Sequence, residues 1–595
     1  MAQKCSEVQS NTAFTGSLYI RLLLLTVLVV AGLASCMRGS ECRTERDCPS
    51  SSVCSTGLCL SALKHGSEKS SSVEKKDEAP KKESRQEAVQ PEEDTNQQET
   101  NTHEKKPANE SGPGETEATS TDASESDGES ATEERLPETA PELGSESAPE
   151  PDRYAIERPP LPQTSWLIQL GGKGPEESNV KTALDTQGNL YVAGQFANVA
   201  TFGTLQATSA GIQDVFVAKL NASGIVQWVQ TLGGSNKNEM LYGLGLDGNG
   251  NVYLSGSFQS NIVSIGTFTL TNKGGEDIYI AKLDPTGKPL WLSHAGGAGL
   301  DEANGSLHVD AKGNATLAGS FHGSTISFGS TTLTKQGSID GFVTQYDTAG
   351  KLRWARQFNS TQNLSIYDLQ SGPSDSWYLV GLFKGNISFP STTLLSSGNS
   401  DGFVVQMKQN GSFQPILHAK GPNQVELNRI RGEGNNLYLA GQFLGTLQVG
   451  SYNLTSKGAF DTFVMKLQTS PPSVTWIEQG RGGGNIFPKS IAVKTSGATT
   501  YLCGSFQPTQ FSLGGLTLSI PGSQNIQGFL SKLNTQGTAL WLQQFGGQGN
   551  DYATHIVTDS NGSLYVVGTF EDTATFGTST LTSRGDTDIF VWKLR

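Results

Sequence analysis

After about residue 160, hydrophobic and polar positions alternate in a way that predicts repeated β-hairpins. Residues 277–291 read DIYIAKLDPTGKPLW, which is a β-branched and aromatic run, a turn and the start of a returning strand. An alternating hairpin such as residues 181–196 precedes each such segment, after a Gly-rich loop. Because the strands carry apolar residues on both faces, we expect sheets that are buried on both sides.

Seven repeats follow when the returning strands are aligned. The aligned positions lie about 60 residues apart and are occupied by Trp166, Trp228, Trp291, Trp354, Leu417, Trp476 and Trp541. Such a β-unit cannot bury both faces alone, and radial packing on its neighbours leaves only short edges. The sequence therefore predicts an all-β fold for residues 161–595, a seven-bladed β-propeller of four-stranded antiparallel blades.

The two ends of this region complement each other. Trp166 lies in an outer strand that has no preceding partner, whereas residues 588–594 (DIFVWKL) lack a returning strand. We expect the N-terminal strand around Trp166 to pair with residues 589–594, which would complete the last blade and close the ring.

The repeats resemble a bacterial seven-bladed β-propeller repeat family of exported proteins. Its segments D-x-F-V-x-K-L, N-x-x-G and W-x-x-x-x-G-G stand here as DVFVAKLNASGIVQWVQTLGG at residues 214–234. A weaker resemblance links LDPTGKPLW, residues 283–291, to quinoprotein blades. The fifth repeat departs most from the pattern, with Leu417 in place of Trp.

Residues 1–35 have the layout of an export signal. The apolar run 22–34 is shorter than the ~20 residues that cross a bilayer, and small residues precede Cys36. Leu33-Ala34-Ser35-Cys36 resembles the lipobox of bacterial lipoproteins, which implies cleavage before Cys36 and lipidation of its thiol. Met37, which is not Asp, then implies transfer to the outer membrane of a diderm bacterium. Ordinary secretion with a spare thiol and an uncleaved anchor are the alternatives.

A small cysteine-rich segment, residues 36–60, follows the signal and contains Cys42, Cys48, Cys54 and Cys59. An even number of cysteines after an export signal predicts two disulfides, in one of three connectivities. Zinc binding is the alternative, although the paired C-x2-C spacing of zinc sites is absent. The remaining Cys503 stands where sister repeats have Ala193 or Ser255, which indicates a small buried side chain.

Residues 61–160 are rich in Glu, Ser, Thr and Pro and carry a net charge of −14, which equals that of the whole chain. Low hydrophobicity combined with net charge predicts a disordered, extended linker, because nothing offsets the entropy of ordering it. An acidic solubilising segment with no spatial role is the alternative. The repeats are nearly neutral and have no basic stripe, which argues against nucleic acid as a partner.

Five of the Gly-rich loops are followed by an acid, and these acids are predicted to surround the mouth of a channel: Glu177, Glu239, Glu302, Glu426 and Asp551. They would suit a cation or a basic ligand, but capping of backbone N–H groups is the commoner use of such acids. No H-E-x-x-H or G-x-S-x-G motif appears. We therefore predict no catalytic residue, no metal and no cofactor.

Together these features predict a monomeric lipoprotein of the bacterial outer membrane or cell surface, anchored through lipid. Its tethered propeller would bind an envelope or extracellular protein or a glycan. Two alternatives remain: a propeller hydrolase or lyase that acts on an extracellular polymer, and an outer-membrane assembly factor that binds peptide strands. A pocket that holds several polar groups of perturbed pKa from different blades would favour the enzyme, and a broad shallow face with exposed aromatic residues would favour the binding module.

Overall fold

The computed structural model describes residues 52–55, 58–61, 159–174, 179–494, 499–507, 510–520 and 525–595. Within those ranges the chain forms strands, turns and loops, and none of the described residues belongs to a helix that could span a membrane. The chain divides into two compact units, residues 1–140 and 141–595. The predicted all-β class is thus confirmed for the described part.

In the first unit, the described residues form one hairpin of strands β1 (Ser52–Ser55) and β2 (Leu58–Ser61). The register places the backbone of Cys54 opposite that of Cys59. Cys36, Cys42 and Cys48 lie outside the described residues, as do the signal peptide and nearly all of the linker. Lipidation, the two disulfides and the disordered linker stay predictions.

The second unit contains the remaining strands. Those of its first half are β3 (Thr164–Gly172), β4 (Lys181–Leu184), β5 (Leu190–Phe196), β6 (Val199–Phe202), β7 (Leu205–Thr208), β8 (Asp214–Leu220), β9 (Val226–Gly234), β10 (Glu239–Leu246), β11 (Val252–Phe258), β12 (Ile262–Ile265), β13 (Phe268–Thr271), β14 (Asp277–Leu283), β15 (Pro289–Gly296), β16 (Asp301–Glu302), β17 (Leu307–Val309), β18 (Ala315–Phe321), β19 (Thr325–Phe328), β20 (Thr331–Thr334), β21 (Asp340–Tyr346) and β22 (Leu352–Phe358).

Those of its second half are β23 (Leu364–Ser371), β24 (Trp377–Phe383), β25 (Asn386–Phe389), β26 (Thr392–Leu395), β27 (Asp401–Met407), β28 (Phe413–Lys420), β29 (Val425–Glu433), β30 (Asn436–Phe443), β31 (Thr446–Val449), β32 (Tyr452–Thr455), β33 (Asp461–Thr469), β34 (Pro472–Gly482), β35 (Ile486–Lys494), β36 (Thr499–Phe506), β37 (Gln510–Leu513), β38 (Leu516–Ser519), β39 (Gln527–Leu533), β40 (Ala539–Gly547), β41 (Tyr552–Thr558), β42 (Leu564–Phe576) and β43 (Ser579–Leu594).

In the first six repeats the main strands pair antiparallel in chain order, as in β10-β11-β14-β15, with the first strand of the third repeat divided into β16 and β17. In the last sheet β41, β42 and β43 are followed by β3. We call the first strand of each repeat its inner strand and the fourth its outer strand. The inner strands of repeats one to seven are β4, β10, β16 with β17, β23, β29, β35 and β41. The second and third strands of each repeat are buried along most of their length, as the apolar runs on both faces predict.

The stretch between the second and third strands folds into an additional hairpin. In the second repeat this hairpin, β12-β13, pairs with the outer strand of the preceding repeat, with Val263 opposite Gly234. Its counterpart in the first repeat turns at Gly203, whose φ of 63° is left-handed and therefore suits glycine. Most sheets thus contain six strands in place of the four that the repeat pattern predicts.

Hydrophobic cores lie between successive sheets. In one of them Tyr191 and Val217 of the first repeat pack with Leu254 and Tyr279 of the second. The described residues form seven such clusters. One cluster joins the first repeat to the last, through residues that include Val192 and Val591. Each sheet therefore buries its two faces against two different neighbours.

The two ends of the second unit form one pair of strands. Strand β3 pairs antiparallel with β43, and Trp166 lies opposite Lys593 while Leu170 lies opposite Ile589. Two further backbone hydrogen bonds join Gln163 and Arg595, at 2.7 and 2.9 Å. The predicted pairing of the segment around Trp166 with residues 589–594 is confirmed.

The recurring tryptophans contact the next repeat. Trp228 Nε1 donates a hydrogen bond of 3.2 Å to the carbonyl of Pro285, in the turn after the third strand of the second repeat. Gly287 closes that turn at a φ of 88°, and a Cβ there would lie 2.8 Å from the indole. The same bond to the following turn is made by Trp166, Trp291 and Trp476. We call these four contacts the tryptophan contacts.

Candidate ligand-binding site

The inner strands lie side by side. Strand β4 contacts β10, β17 contacts β10 and β23, and β29 contacts β23 and β35. Strand β41 contacts β35 and returns to β4. Side chains that leave these strands on their common side therefore approach one another although they belong to distant repeats.

A β-bulge recurs in the inner strands. The register shifts between Leu427 and Arg429, for example, and the same shift precedes His555. A bulge re-aims the side chain that follows it. The residues at this register position differ from repeat to repeat: Lys181, Gly243, Asp368, Arg429, Ser490 and His555.

Charged side chains gather around this position. We use the name inner-strand cluster for Lys181, His308, Asp368, Arg429, Arg431, Lys489 and His555, which come from the first, third, fourth, fifth, sixth and seventh repeats. Lys181 and Arg429 belong to the first and fifth repeats, which are not neighbours, yet the charge of Arg429 acts on Lys181. The cluster therefore occupies the space that the inner strands share.

Two hydrogen-bonded contacts organise the arginines. Arg431 donates to Asp368 Oδ2 at 2.8 Å, and the same oxygen accepts the N–H of Ile430 at 3.1 Å. Arg429 Nε donates to the carbonyl of Lys489 at 2.6 Å. These bonds hold both guanidinium groups against the fourth and sixth repeats, so that the arginines are oriented by backbone as well as by charge.

The lysines of the cluster are short of negative charge. Burial lowers the pKa of Lys181 to about 7, and Arg429 lowers it further while Asp368 acts in the opposite direction. Burial and then Arg429 lower the pKa of Lys489 to about 8, against an opposing effect of Glu426. Part of each lysine side chain remains exposed to solvent. Near neutral pH the two ammonium groups therefore lose protons readily.

The histidines of the cluster are held neutral. Burial lowers the pKa of His555 well below its ordinary value, and Lys181, Arg431 and Arg429 add to this effect. His555 Nδ1 accepts the N–H of Thr182 at 3.4 Å. His308 has a pKa lowered by burial and by Arg431, and its buried Nδ1 has no hydrogen-bond partner in the described part of the chain. The cluster thus presents cations beside neutral imidazoles.

Two of the predicted channel-mouth acids cap loops. Glu239 is fully buried and accepts N–H groups from Gly234 at 3.0 Å and Ser260 at 3.3 Å. Asp551 is also fully buried and accepts the N–H of Gly547 at 2.8 Å. Burial raises the pKa of Glu239 to about 7 and that of Asp551 to about 8. Their contacts are those of the alternative interpretation, in which such acids cap backbone N–H groups.

Glu302 and Glu426 lie one register position further along their strands. The capping position of the third repeat belongs to Asp301, which accepts the N–H of Gly297 at 2.7 Å. Amide side chains donate to Glu302 and Glu426, as Asn428 does to Glu426 at 3.0 Å. Burial raises the pKa of both carboxyl groups, to about 7 for Glu302. Glu177 lies outside the described residues, and a cation site at these acids stays a prediction.

Cys503 lies in β36, behind the inner strands. Its thiol is unpaired and fully buried, as the small side chains of sister repeats predict. Burial raises its pKa to about 12, which disfavours the thiolate. Within the described residues, no group of three or more His, Cys, Asp or Glu side chains is arranged to hold a metal ion.

Sequence reasoning missed the inner-strand cluster. Its signal was the contrast between repeats at the aligned positions, where GLG at 243–245 stands beside RIR at 429–431. That contrast becomes informative only when the bulge is known, because the bulge shifts every later residue of the strand to the other face.

The comparisons with known proteins agree with a repeat architecture. A family model described as beta-propeller repeat (SBBP) matches residues 540–569. The second unit contains a β-propeller repeat. Regulatory protein FlaEY of Caulobacter vibrioides is 24% identical over 322 residues, which cover 50% of this chain and 33% of FlaEY. The uncharacterized WD repeat-containing protein L264 of Acanthamoeba polyphaga mimivirus is 21% identical over 503 residues, which cover 68% of this chain and 36% of that protein.

The chain thus spans about a third of the length of these two relatives.

Among solved structures, YCF48 bound to D1 peptide matches 74% of this chain and 98% of its own, at 10% identity and a TM-score of 0.33. Puromycin hydrolase matches 67% of this chain and 51% of its own, at 9% identity and a TM-score of 0.35. At such low TM-scores these likenesses carry no weight for function.

Proposed function

We propose that residues 161–595 form a closed seven-bladed β-propeller that serves as a binding module, with its site at the inner-strand cluster. The cyclic order of the cores and the pairing of β3 with β43 support closure. The observation that carries the binding role is the convergence of charged side chains from distant repeats, as with Lys181 and Arg431. Packing does not need these charges, and burying them is costly.

In this proposal the module is exported and lipid-anchored at Cys36, at the bacterial outer membrane or cell surface. The lipobox-like tetrad at residues 33–36 supports the anchor, and the composition of residues 61–160 supports a flexible tether. The partner is an envelope or extracellular protein or a glycan, and the module acts as a monomer. A Cys36→Ser variant expressed in a diderm bacterium should leave the membrane fraction; partitioning like the parent chain would overturn the anchor.

The binding role is tested with the full-length chain. Purified protein and a Lys181→Met/Lys489→Met double variant are incubated with envelope extract, and retained molecules are compared. A matched control replaces the exposed lysines Lys312 and Lys351 by Met. We expect the double variant to lose a partner that the parent and the control both retain. Equal retention by all three proteins would place the binding site elsewhere.

A second candidate function is a hydrolase. The groups of perturbed pKa that several repeats contribute to the inner-strand cluster favour it, and so does one contact. Ser371 Oγ lies 3.2 Å from His308 Nε2, which is the distance between a nucleophile and its base. His308 also packs against Trp377 with ring centroids 5.2 Å apart. The lowered pKa of His308 and its unpartnered Nδ1 weaken this base. Loss of ester hydrolysis in Ser371→Ala, with retention in Ser412→Ala, would support the enzyme over the binding module.

A further inference from the structure

We propose that the inner-strand cluster binds a small oxyanion of two negative charges, of the phosphate or sulfate type. This inference rests on the proposed binding function, because it names the ligand chemistry of the same site. Arg429 and Arg431 project from β29, Lys181 from β4 and Lys489 from β35, so that three repeats supply cations to one space.

The positive charge of the cluster is only partly balanced. Asp368 forms the one ion pair that the described residues of the cluster contain, with Arg431. Glu426, beside Lys489, is held by amide donors, among them Gln442 at 3.0 Å, and burial disfavours its ionised form. When both lysines are protonated, the four cations of the described cluster share essentially one carboxylate, and this surplus of like charge is relieved either by loss of protons from the lysines or by entry of an anion.

Neither lysine has a polar partner among the described residues. No hydrogen bond or ion pair from that part of the chain reaches the ammonium group of Lys181. Of the contacts within the described ranges, the ammonium group of Lys489 makes only a cation–π contact, 5.6 Å from the centre of the Phe487 ring. An ammonium group has three N–H donors, and each donor that is shielded from water needs an acceptor. The arrangement is that of a site whose acceptor is supplied from outside the chain.

The arginines retain donors for such a ligand. A guanidinium has five N–H donors. The bonds of Arg429 to the protein use Nε and one terminal nitrogen, and those of Arg431 use one terminal nitrogen. The free N–H groups form a fork that suits two oxygens of one tetrahedral anion. A doubly charged oxyanion balances the surplus better than a single carboxylate, which is why we favour phosphate or sulfate.

Anion binding should be coupled to proton uptake. The lowered pKa values of Lys181 and Lys489 mean that both groups are partly deprotonated above neutral pH without a ligand. An anion stabilises the protonated lysines, so its affinity should fall as the pH rises through about 7 to 8. The facing charged and titratable groups are Arg429, Arg431, Asp368, Glu426, His308, His555 and the thiol of Cys503. An arginine side chain is charged in proteins at any of these pH values. The lowered pKa values of the two imidazoles keep them neutral through this range.

Calorimetric titration of the full-length protein with inorganic phosphate and with sulfate tests the proposal, at constant ionic strength in chloride. We expect saturable binding of both anions, and sulfate, which carries two negative charges throughout this range, should bind more weakly as the pH rises. In Lys181→Met we expect affinity reduced about tenfold or more, because a charge-assisted hydrogen bond is lost. Lys351→Met, on an exposed turn, should bind as the parent does. Phenyl phosphate forms a second arm: binding comparable to that of phosphate indicates a site for an esterified group, and its rejection indicates a site for the free anion.

Absence of saturable binding to the parent protein, or unchanged affinity in both Lys181→Met and Lys489→Met, would overturn the oxyanion site. Far-UV circular dichroism checks that each variant folds, and Lys489→Met replaces Lys181→Met should the latter not fold. Selective loss of an envelope partner in the double variant without any anion binding would sink this inference alone. If the double variant retains both the envelope partner and the anion, the proposed function fails as well.

Discussion

Two sets of positions recur at equal spacing in the repeats, and they behave in opposite ways. The tryptophan contacts are nearly identical in four repeats, with an indole N–H donating to the next turn. The register position after the inner-strand bulge holds Lys181 in one repeat, Asp368 in another and Arg429 in a third. Residues that are the same in several repeats therefore make the contacts between neighbouring sheets, whereas residues that differ between repeats lie where the inner strands come together.

The difference has a physical reason. A contact between neighbouring sheets must recur at the same angle at each junction, so one residue set suffices for all of them. Where the inner strands meet, identical charges from every repeat would repel one another in an enclosed space. A mixed set of Lys, Arg, Asp and His is tolerated there, and under our proposal its excess of positive charge would favour an anion.

The largest expected effect concerns the strand that joins the two ends. Deletion of residues 161–172 removes β3 from β43 and exposes strand edges and two core faces, so we expect a loss of at least about 5 kcal/mol in the free energy of unfolding. Urea unfolding followed by tryptophan fluorescence measures it. A deletion of equal length in the linker, residues 120–131, is the control. If the truncated protein unfolds at the same urea concentration as this control, the pairing of β3 with β43 does not stabilise the second unit.

A single tryptophan contact should have an intermediate effect. Trp228→Ala removes both the indole packing and the bond to Pro285, and we expect a loss of about 3 kcal/mol. Trp228→Phe keeps most of the packing and should lose only about 1 kcal/mol. Thermal unfolding of the two variants separates packing from hydrogen bonding. An equal decrease in the free energy of unfolding in both variants would mean that the hydrogen bond contributes more than the packing. No decrease in either variant would show that this contact does not stabilise the fold.

The inner-strand cluster predicts a smaller effect of opposite sign. The folded-state pKa of Lys181 is about 7, below the ordinary value of 10.5, so the unfolded chain holds this proton more tightly. The resulting destabilisation is complete below pH 7 and disappears as the pH rises toward 10.5. Lys181→Met should therefore raise the free energy of unfolding by about 2 kcal/mol near pH 6.

The gain in Lys181→Met should shrink toward pH 10. Urea unfolding at both pH values measures it, and Lys351→Met should change stability by less than about 0.5 kcal/mol at either. A gain in stability that is independent of pH would show that Lys181 acts through packing. It would contradict the view that charge repulsion distinguishes the inner-strand cluster from the tryptophan contacts.

The sequence allowed the pairing of β3 with β43 to be predicted because each end of the repeat region lacks what the other supplies. The additional hairpins were missed because four-residue strands such as β12 have too short an alternation to stand out from a variable loop. Glu239 and Glu302 looked equivalent in sequence, yet they occupy adjacent register positions with different partners. One residue of offset in a strand changes the face, and the printed chain does not show it.

By itself, the sequence determined the strand periodicity, the repeated units and the meeting of the two ends, because these depend on local alternation and on a pattern copied along the chain. The tertiary structure alone decided that Lys181, Arg429 and Lys489 share one space. They lie far apart along the chain, and each looks like an ordinary solvated charge within its own repeat. Only the arrangement of the inner strands sets the distances at which their charges act on one another, and electrostatic energy depends on those distances.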